Sequence, residues 1–276
     1  MEGNTMKVYI SADLEGITGV VGREHVNPEG SEYQRARDLM TREVNAAIKG
    51  AYQGGAEHVV VNDAHGPMTN LMIENLETEA ELITGTPKPQ GMMAGLTEEF
   101  DLVFLIGYHS KKGDPGILSH SYSGGTVKQI KLNGLEVGEP GMNSYLAGYY
   151  QVPVGLVTGD DRVTTNTKDL IGEQLKTVAV KSALSRSAAK CMTPTKACKL
   201  IEERATQAVS ELSKKKYTIL TAEKPLELSM SFLDRGMAEK AAQLPNTKLE
   251  NTTVIYQHDD MLSIYEAMQA MLMLVR

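Results

Sequence analysis

Short runs of continuous apolar residues constrain this chain more than any other feature. They are Val59-Val60-Val61, Leu102-Val103-Phe104-Leu105-Ile106 and the segment from Pro153 to Thr158. None shows the apolar-polar alternation of a strand with one wet face. Continuous runs of this length mark strands covered on both faces, as in a parallel sheet. Helical periodicity separates them. Tyr33, Ala36, Met40, Val44, Ala47, Ile48 and Ala51 recur at spacings of three and four, and Gly54-Gly55 follows as a stop signal. Met6 to Asp13 supplies one more strand ahead of that helix. The expected fold is α/β, a mostly parallel sheet flanked by helices.

The rest of the chain reads differently. Asn133-Gly134, between Val127 to Ile130 and Leu135 to Val137, is a hairpin signal. A helix from about Gly141 to Tyr150 and the Pro153 strand follow. The segment Pro194 to Leu212 is helical. Strand-like stretches at Leu226 to Phe232 and Thr252 to Gln257 come next, with a helix between them and a Met-rich core helix at the end. This pattern implies an α/β domain over residues 1–185 that carries the site. A smaller α+β subdomain then spans residues 186–276. No Pro/Gly/Ser-rich linker divides the two.

Charge and cysteine content exclude several classes. Thirty-five acidic residues against 28 Lys and Arg leave a formal net charge of −7. That field repels phosphate backbones, so nucleic acid is not an expected partner. The densest basic run, Lys214-Lys215-Lys216, reads as a solvated loop or helix end. Cys191 and Cys198 are the only two cysteines. They exclude a disulfide scaffold and a zinc ribbon, and are expected to pack as small apolar residues on one helix. The N-terminus has no basic cluster or apolar core of a signal peptide, and no stretch approaches the roughly 18 apolar residues of a spanning helix. The chain is expected to be cytoplasmic, with no membrane partner.

There is no Walker A loop, no G-x-G-x-x-G after the first strand, no H-E-x-x-H and no G-x-S-x-G. What remains is a set of acids and imidazoles at strand ends. Asp13 and Glu15 close the first strand, His65 follows the second, and His109 closes the third. Ligands of open parallel sheets bind outside the carboxyl ends of the strands, so three strands deliver these groups to one edge. Imidazole and carboxylate together suit zinc, with manganese or iron as weaker options. Taken singly, each has a plainer role: Asp13 as a turn or N-cap residue, Glu15 as a solvated acid, each histidine as a hydrogen-bonded loop residue. His25, His58 and His258 lack this placement and read as structural or surface residues. His120, between Ser119 and Ser121, has no partner acid at triad spacing. It reads as an imidazole beside a metal centre that serves as base, transition-state donor or nucleophile. Glu139, before Pro140, is either an acid of a helix first turn or the carboxylate that completes a two-metal site.

Several motifs, in order, are similar to those of the DppA-type D-aminopeptidases, a family of binuclear zinc peptidases. They include Ser11-Ala12-Asp13-Leu14-Glu15-Gly16-Ile17, Asn62-Asp63-Ala64-His65, Gly107-Tyr108-His109 and Pro115 through Ser121. Gly134 through Glu139, Asn143-Ser144-Tyr145, Gly159-Asp160-Asp161-Arg162 and Ser185-Arg186-Ser187-Ala188 continue the match. It covers nearly the whole chain after Thr5. The resemblance implies two Zn2+ per subunit, held by Asp13, Glu15, His65, His109 and Glu139 with Asp13 bridging, and a catalytic His120. It implies hydrolysis of the N-terminal bond of short peptides, such as D-Ala-D-Ala. It also implies a homo-oligomer, in the family a homodecamer of two pentameric rings. Asp63, Asn143, Asp160, Asp161 and Arg162 would support the ligands or the substrate. Another two-metal hydrolase, an amidase or a phosphoesterase, is an alternative. So is a non-catalytic peptide-binding protein with structural metals.

Overall fold

The apolar runs lie side by side in one sheet. The computed structural model describes residues 5–212 and 217–275, and Lys214-Lys215-Lys216 lies outside them. The chain opens with β1 (Lys7–Ala12), the short α1 (Arg23–Val26) and the long α2 (Tyr33–Gln53). It continues through β2 (His58–Asp63), β3 (Glu81–Ile83) and β4 (Leu102–Tyr108). Next come the hairpin strands β5 (Val127–Leu132) and β6 (Leu135–Glu136), then α3 (Glu139–Tyr149), β7 (Val154–Asp160) and α4 (Asp161–Ile171). The second half holds β8 (Lys176–Ser185), β9 (Ala188–Cys191), α5 (Pro194–Ser210) and β10 (Leu226–Phe232). It closes with α6 (Arg235–Ala241), β11 (Thr247–Glu250), β12 (Thr253–His258) and α7 (Met261–Leu274).

Seven strands form the larger sheet in the order β3-β2-β1-β4-β7-β8-β9. All its pairings are parallel except β8 with β9. The chain steps from β1 to β2 on one side and returns to β4 on the other. That reversal opens a crevice at the carboxyl ends of β1 and β4. Alternate residues feed two cores. Val8, Ile10, Leu102, Phe104 and Ile106 pack beneath α2 and α5, whereas Tyr9, Val103 and Leu105 face α3 and α7. This two-sided burial explains the unbroken apolar runs. The five remaining strands pair antiparallel in the order β11-β12-β10-β5-β6, with α6 and α7 packed on them. This smaller sheet draws β5 and β6 from the middle of the chain. The 185/186 division falls in the turn between β8 and β9.

Three details differ from expectation. After the Gly66-Pro67 loop the sequence reads as a short helical stretch to about Leu76, and the structure holds only a 3-10 turn there, at Ile73–Asn75. The edge strands β3, β9 and β11 carry no apolar run and escape the pattern. Cys191 and Cys198 do not share a helix. Pro194 starts α5, so Cys191 stays in β9, exposed, and Cys198 alone is helical. In α7, Met268 and Met271 are buried, and Met273 is exposed. Among the described residues, no helix is long and apolar enough to cross a membrane.

A bulge in β4 sets the site. The pairing of β4 with β7 shifts register between Leu105 and Tyr108, and Gly107 there has φ +72°. The shift turns Tyr108 to the face of Leu105 and leaves His109 at the strand end. The backbone after β1 docks on the bulge through Asp13 N–H to Ile106 O at 2.8 Å and Gly16 N–H to Gly107 O at 2.7 Å. A Cβ on Gly107 would stand 2.2 Å from Asp13 O. Gly107→Ala therefore combines left-handed strain with a backbone collision. It is expected to cost at least about 2 kcal/mol and to lower the melting temperature by roughly 5 °C or more. A melting temperature equal to the parent's would show that the loop can retreat freely.

Candidate metal centre

Asp13, Glu15, His65, His109 and Glu139 converge in one small chamber. All five are buried, from 1% to 7% exposed. The first four arrive from the ends of β1, β2 and β4. Glu139 arrives from the other direction, in the first turn of α3, where the helix dipole favours a carboxylate. The residues of α3 from Glu139 to Gly148 are all buried, so the helix runs between the two sheets and presents that turn to the strand ends.

The donors form two sets around Asp13. His65 Nδ1 lies 2.8 Å from Glu15 Oε2 and 3.4 Å from Asp13 Oδ1. His109 Nε2 lies 3.2 Å from Glu139 Oε2 and 3.6 Å from Asp13 Oδ2. Asp13 thus turns one oxygen to each set. Its Oδ2 and His109 Nε2 are both buried without a hydrogen-bond partner. Buried polar atoms are rarely left unpaired, and two that face one another at non-bonding distance fit a cation between them. Donor atoms of Asp13, Glu15 and His65 lie within 4.8 Å of one another, as do those of His109, His120 and Glu139. Sterically, His120 is therefore a rival to Asp13 as third donor of the second set. The chamber has a volume of about 110 Å³. A larger cavity, about 730 Å³ between α2 and α5, contains none of these groups.

Backbone carbonyls orient each imidazole. His65 Nε2 bonds to Val26 O, His109 Nδ1 to Ser110 O and His120 Nδ1 to Leu118 O, each at 2.9 Å. A carbonyl only accepts, so these nitrogens carry hydrogen and the other nitrogen of each ring faces the chamber. The local field is strongly negative. Burial, then the charge of Glu15, raises Asp13 to about 7. Burial alone would lower the imidazoles, but Glu15 and Asp13 outweigh it and hold His65 well above its ordinary value. Burial is likewise outweighed at His109, which Glu139 and Asp13 raise to about 10. Burial would raise Glu15 and Glu139, and the facing histidines overcome it and hold both below the usual range. A field that draws protons onto imidazoles also draws a divalent cation, which displaces them. The donor chemistry, the unpaired atoms and the field all fit metal ions.

His120 stands apart. It stacks on His109 with ring centroids 4.1 Å apart, and its Nε2 is 3.9 Å from Glu139 Oε1. Its side chain is 19% exposed, at the mouth of the chamber. Burial, then the neighbouring His109, lowers its pKa below the ordinary imidazole value.

The expected supporting residues take distinct places. Asp63 accepts from Asn70 N–H at 2.6 Å, Leu71 N–H at 2.7 Å and Asn70 Nδ2 at 2.7 Å, while Asn70 also holds His65 O. Asp63 thereby fixes the loop that carries His65. Asp63→Ala is expected to weaken metal binding by about 10–100-fold in a chelator-competition titration. Unchanged affinity would confine Asp63 to fold stability. Asn143 accepts from Tyr265 and Tyr122 and donates to Tyr108, behind Glu139. Tyr122 N–H in turn donates to Glu139 Oε1 at 2.5 Å. Asp160 caps α4 and also accepts from Ile117 N–H, on the loop leading to His120. Asp161 accepts from Ala183 N–H of β8, and Arg162 is exposed on a neighbouring cavity.

Sequence reasoning passed over Lys181. This fully buried lysine donates to Glu15 O at 2.6 Å, Ile17 O at 2.8 Å and Val20 O at 2.5 Å, so it clamps the turn that bears Glu15. Burial lowers its pKa to about 8, with Glu43 opposing. A lysine closing the apolar stretch Val178-Ala179-Val180 was the available signal. His25 is half-buried and His58 and His258 are exposed, and none of them lines the chamber.

Comparison with known proteins adds a separate line. A family model described as D-aminopeptidase matches residues 6–270. A D-aminopeptidase of Bacillus subtilis (strain 168) is 42% identical over 268 residues, covering 96% of this chain and 96% of that protein. A solved structure superposes with a TM-score of 0.93 at 42% identity, over 98% of both chains. It is the Zn-dependent D-aminopeptidase DppA from Bacillus subtilis, described as a self-compartmentalizing protease.

Proposed function

Because the chain belongs to the D-aminopeptidase family, we propose that it is a zinc-dependent D-aminopeptidase with two metal ions per subunit. One observation carries the two-metal reading: the Asp13 carboxylate presents one oxygen to His65 and Glu15 and the other to His109 and Glu139. Asp13, Glu15 and His65 would hold one ion. Asp13, His109 and Glu139 would hold the other.

Two divalent ions bound there would supply Lewis acidity for the scissile carbonyl and would lower the pKa of an attacking water. The chain supplies the rest. His120 has its Nδ1 hydrogen committed to Leu118 O, so Nε2 bears the lone pair towards the chamber. Its lowered pKa keeps that lone pair free near neutral pH. It is thus built to take a proton from the attacking water and return it to the leaving amine, as a general base and then acid. An oxyanion donor would need the hydrogen on Nε2 instead. Small chamber volume and buried walls exclude bulk water, which strengthens each charge interaction.

Zinc-loaded protein should hydrolyse D-Ala-D-Ala and D-Ala-p-nitroanilide and spare a phosphodiester. Cleavage of the phosphodiester alone would overturn the peptidase reading in favour of another two-metal hydrolase. Binding of the peptide without any turnover would favour a peptide-binding protein with structural metals. The Bacillus subtilis relative is described as self-compartmentalizing, and we extend homo-oligomerisation to this chain, as a homodecamer of two pentameric rings. Sedimentation should give a particle of about ten times the 30.1 kDa chain. A monomer would reject that assembly.

A further inference from the structure

A second cavity, of about 490 Å³, lies on the other side of His120 and is lined by Lys112, Ser119, His120, Arg162 and Arg186 among others. His120 lines both this cavity and the metal chamber. Three cationic side chains, Lys112, Arg162 and Arg186, line the cavity. Lys112 is held by Gly124 O and Val127 O, each at 3.0 Å. The single acid on the cavity wall, Asp114, is already paired with Lys111 at 2.7 Å and accepts from Asn166 at 2.8 Å. Among the described residues, the guanidiniums of Arg162 and Arg186 have no ion pair or hydrogen bond. We propose that this cavity is a carboxylate subsite, in which Arg162 and Arg186 bind the C-terminal carboxylate of a short peptide whose scissile bond lies at His120.

The segments bearing these groups are fastened together. Leu118 N–H donates to Arg186 O at 2.9 Å, which ties the β8–β9 turn to the His120 loop. Asp160 caps the helix that begins beside Arg162 and holds Ile117 N–H of the same loop at 2.7 Å. Asp161 holds Ala183 N–H of β8 at 3.0 Å. The backbone positions of His120, Arg162 and Arg186 are thus set relative to one another before any ligand arrives. Contiguity of the two cavities at His120 favours the assignment as well. An extended residue spans roughly 3.3–3.6 Å, so the carboxylate of a dipeptide lies one residue beyond the scissile carbonyl. A carboxylate subsite must therefore border the group that acts on that bond, as this cavity borders His120. A peptide carboxylate facing two unpaired guanidiniums gains charge-assisted, bidentate hydrogen bonds that a neutral amide does not.

The inference rests on the aminopeptidase reading and sharpens it to free, short peptides. Steady-state kinetics of zinc-loaded protein on D-Ala-D-Ala and on its C-terminal carboxamide tests it. Loss of a charge-assisted contact to arginine should make the parent prefer the free acid by roughly 10–100-fold in kcat/KM, mainly through KM. In the Arg162→Gln/Arg186→Gln variant this acid-over-amide ratio should fall towards one, and Arg186→Lys should restore part of it. Equal efficiency of parent protein on acid and amide overturns the subsite and leaves the aminopeptidase reading standing. A parent-like ratio in the double variant also overturns it. Failure of the parent to cleave either substrate overturns both.

Discussion

Asp13→Ala is expected to remove both metal ions and to lower kcat/KM at least about a thousandfold, a loss of several kcal/mol of metal-based stabilisation. The reason is positional. Asp13 Oδ1 faces His65 and Oδ2 faces His109, so a single side chain belongs to both donor sets. Without it, each set retains two groups, Glu15 with His65 and His109 with Glu139. Two donors fall short of the three that a catalytic zinc site needs. The variant should nevertheless fold. Removing one of the carboxylates that crowd the chamber relieves the repulsion with Glu15 that, after burial, holds Asp13 up near 7. Metal content by elemental analysis, alongside a melting curve, separates these effects. Retention of two equivalents of zinc would end the bridging assignment.

His120→Ala is expected to leave metal content at two equivalents and to lower kcat by about 10²–10⁴, the usual contribution of a positioned acid–base group. KM should change little, because His120 sits at the mouth, 3.9 Å from Glu139 Oε1, and is not needed to hold the metal pair. The acid limb of the pH–rate profile should flatten as well. The parent's base is active only when deprotonated, and burial and His109 place that titration below the ordinary imidazole value. Loss of one zinc equivalent in this variant would instead make His120 the third donor of the second set. Its ring nitrogen is close enough to Glu139 and His109 for that role. Full activity with intact metal would remove His120 from the chemistry altogether.

How much of this was legible in the sequence depended on the element. Asp13, Glu15, His65 and His109 could be found by reasoning because parallel strands bring their carboxyl ends to one edge. The apolar runs that locate those strands are unmistakable. Glu139 lies at no strand end. It enters from a helix lodged between the two sheets; the residues alone left it either a first-turn acid or a metal carboxylate, and the family resemblance decided for the ligand. The bulge at Gly107, which turns Tyr108 and leaves His109 at the rim, has no signature beyond a glycine near the end of an apolar run. Lys181 shows in the sequence only as a lysine closing an apolar stretch; its role was hidden because its partners, Glu15 O, Ile17 O and Val20 O, are backbone atoms more than 160 residues away. Strands β3, β9 and β11 were missed because edge strands need no apolar face. The arginine-lined cavity shows the same limit. Arg162 and Arg186 belong to separate motifs, and folding alone brings them to one wall beside His120.

The central claim is that Asp13 sits between two metal ions. Anomalous diffraction at the zinc edge, from crystals of zinc-loaded protein, tests it most directly. The account predicts two adjacent peaks, one touching Asp13, Glu15 and His65 and the other touching Asp13, His109 and Glu139. A single peak, or two peaks of which only one touches Asp13, would contradict it.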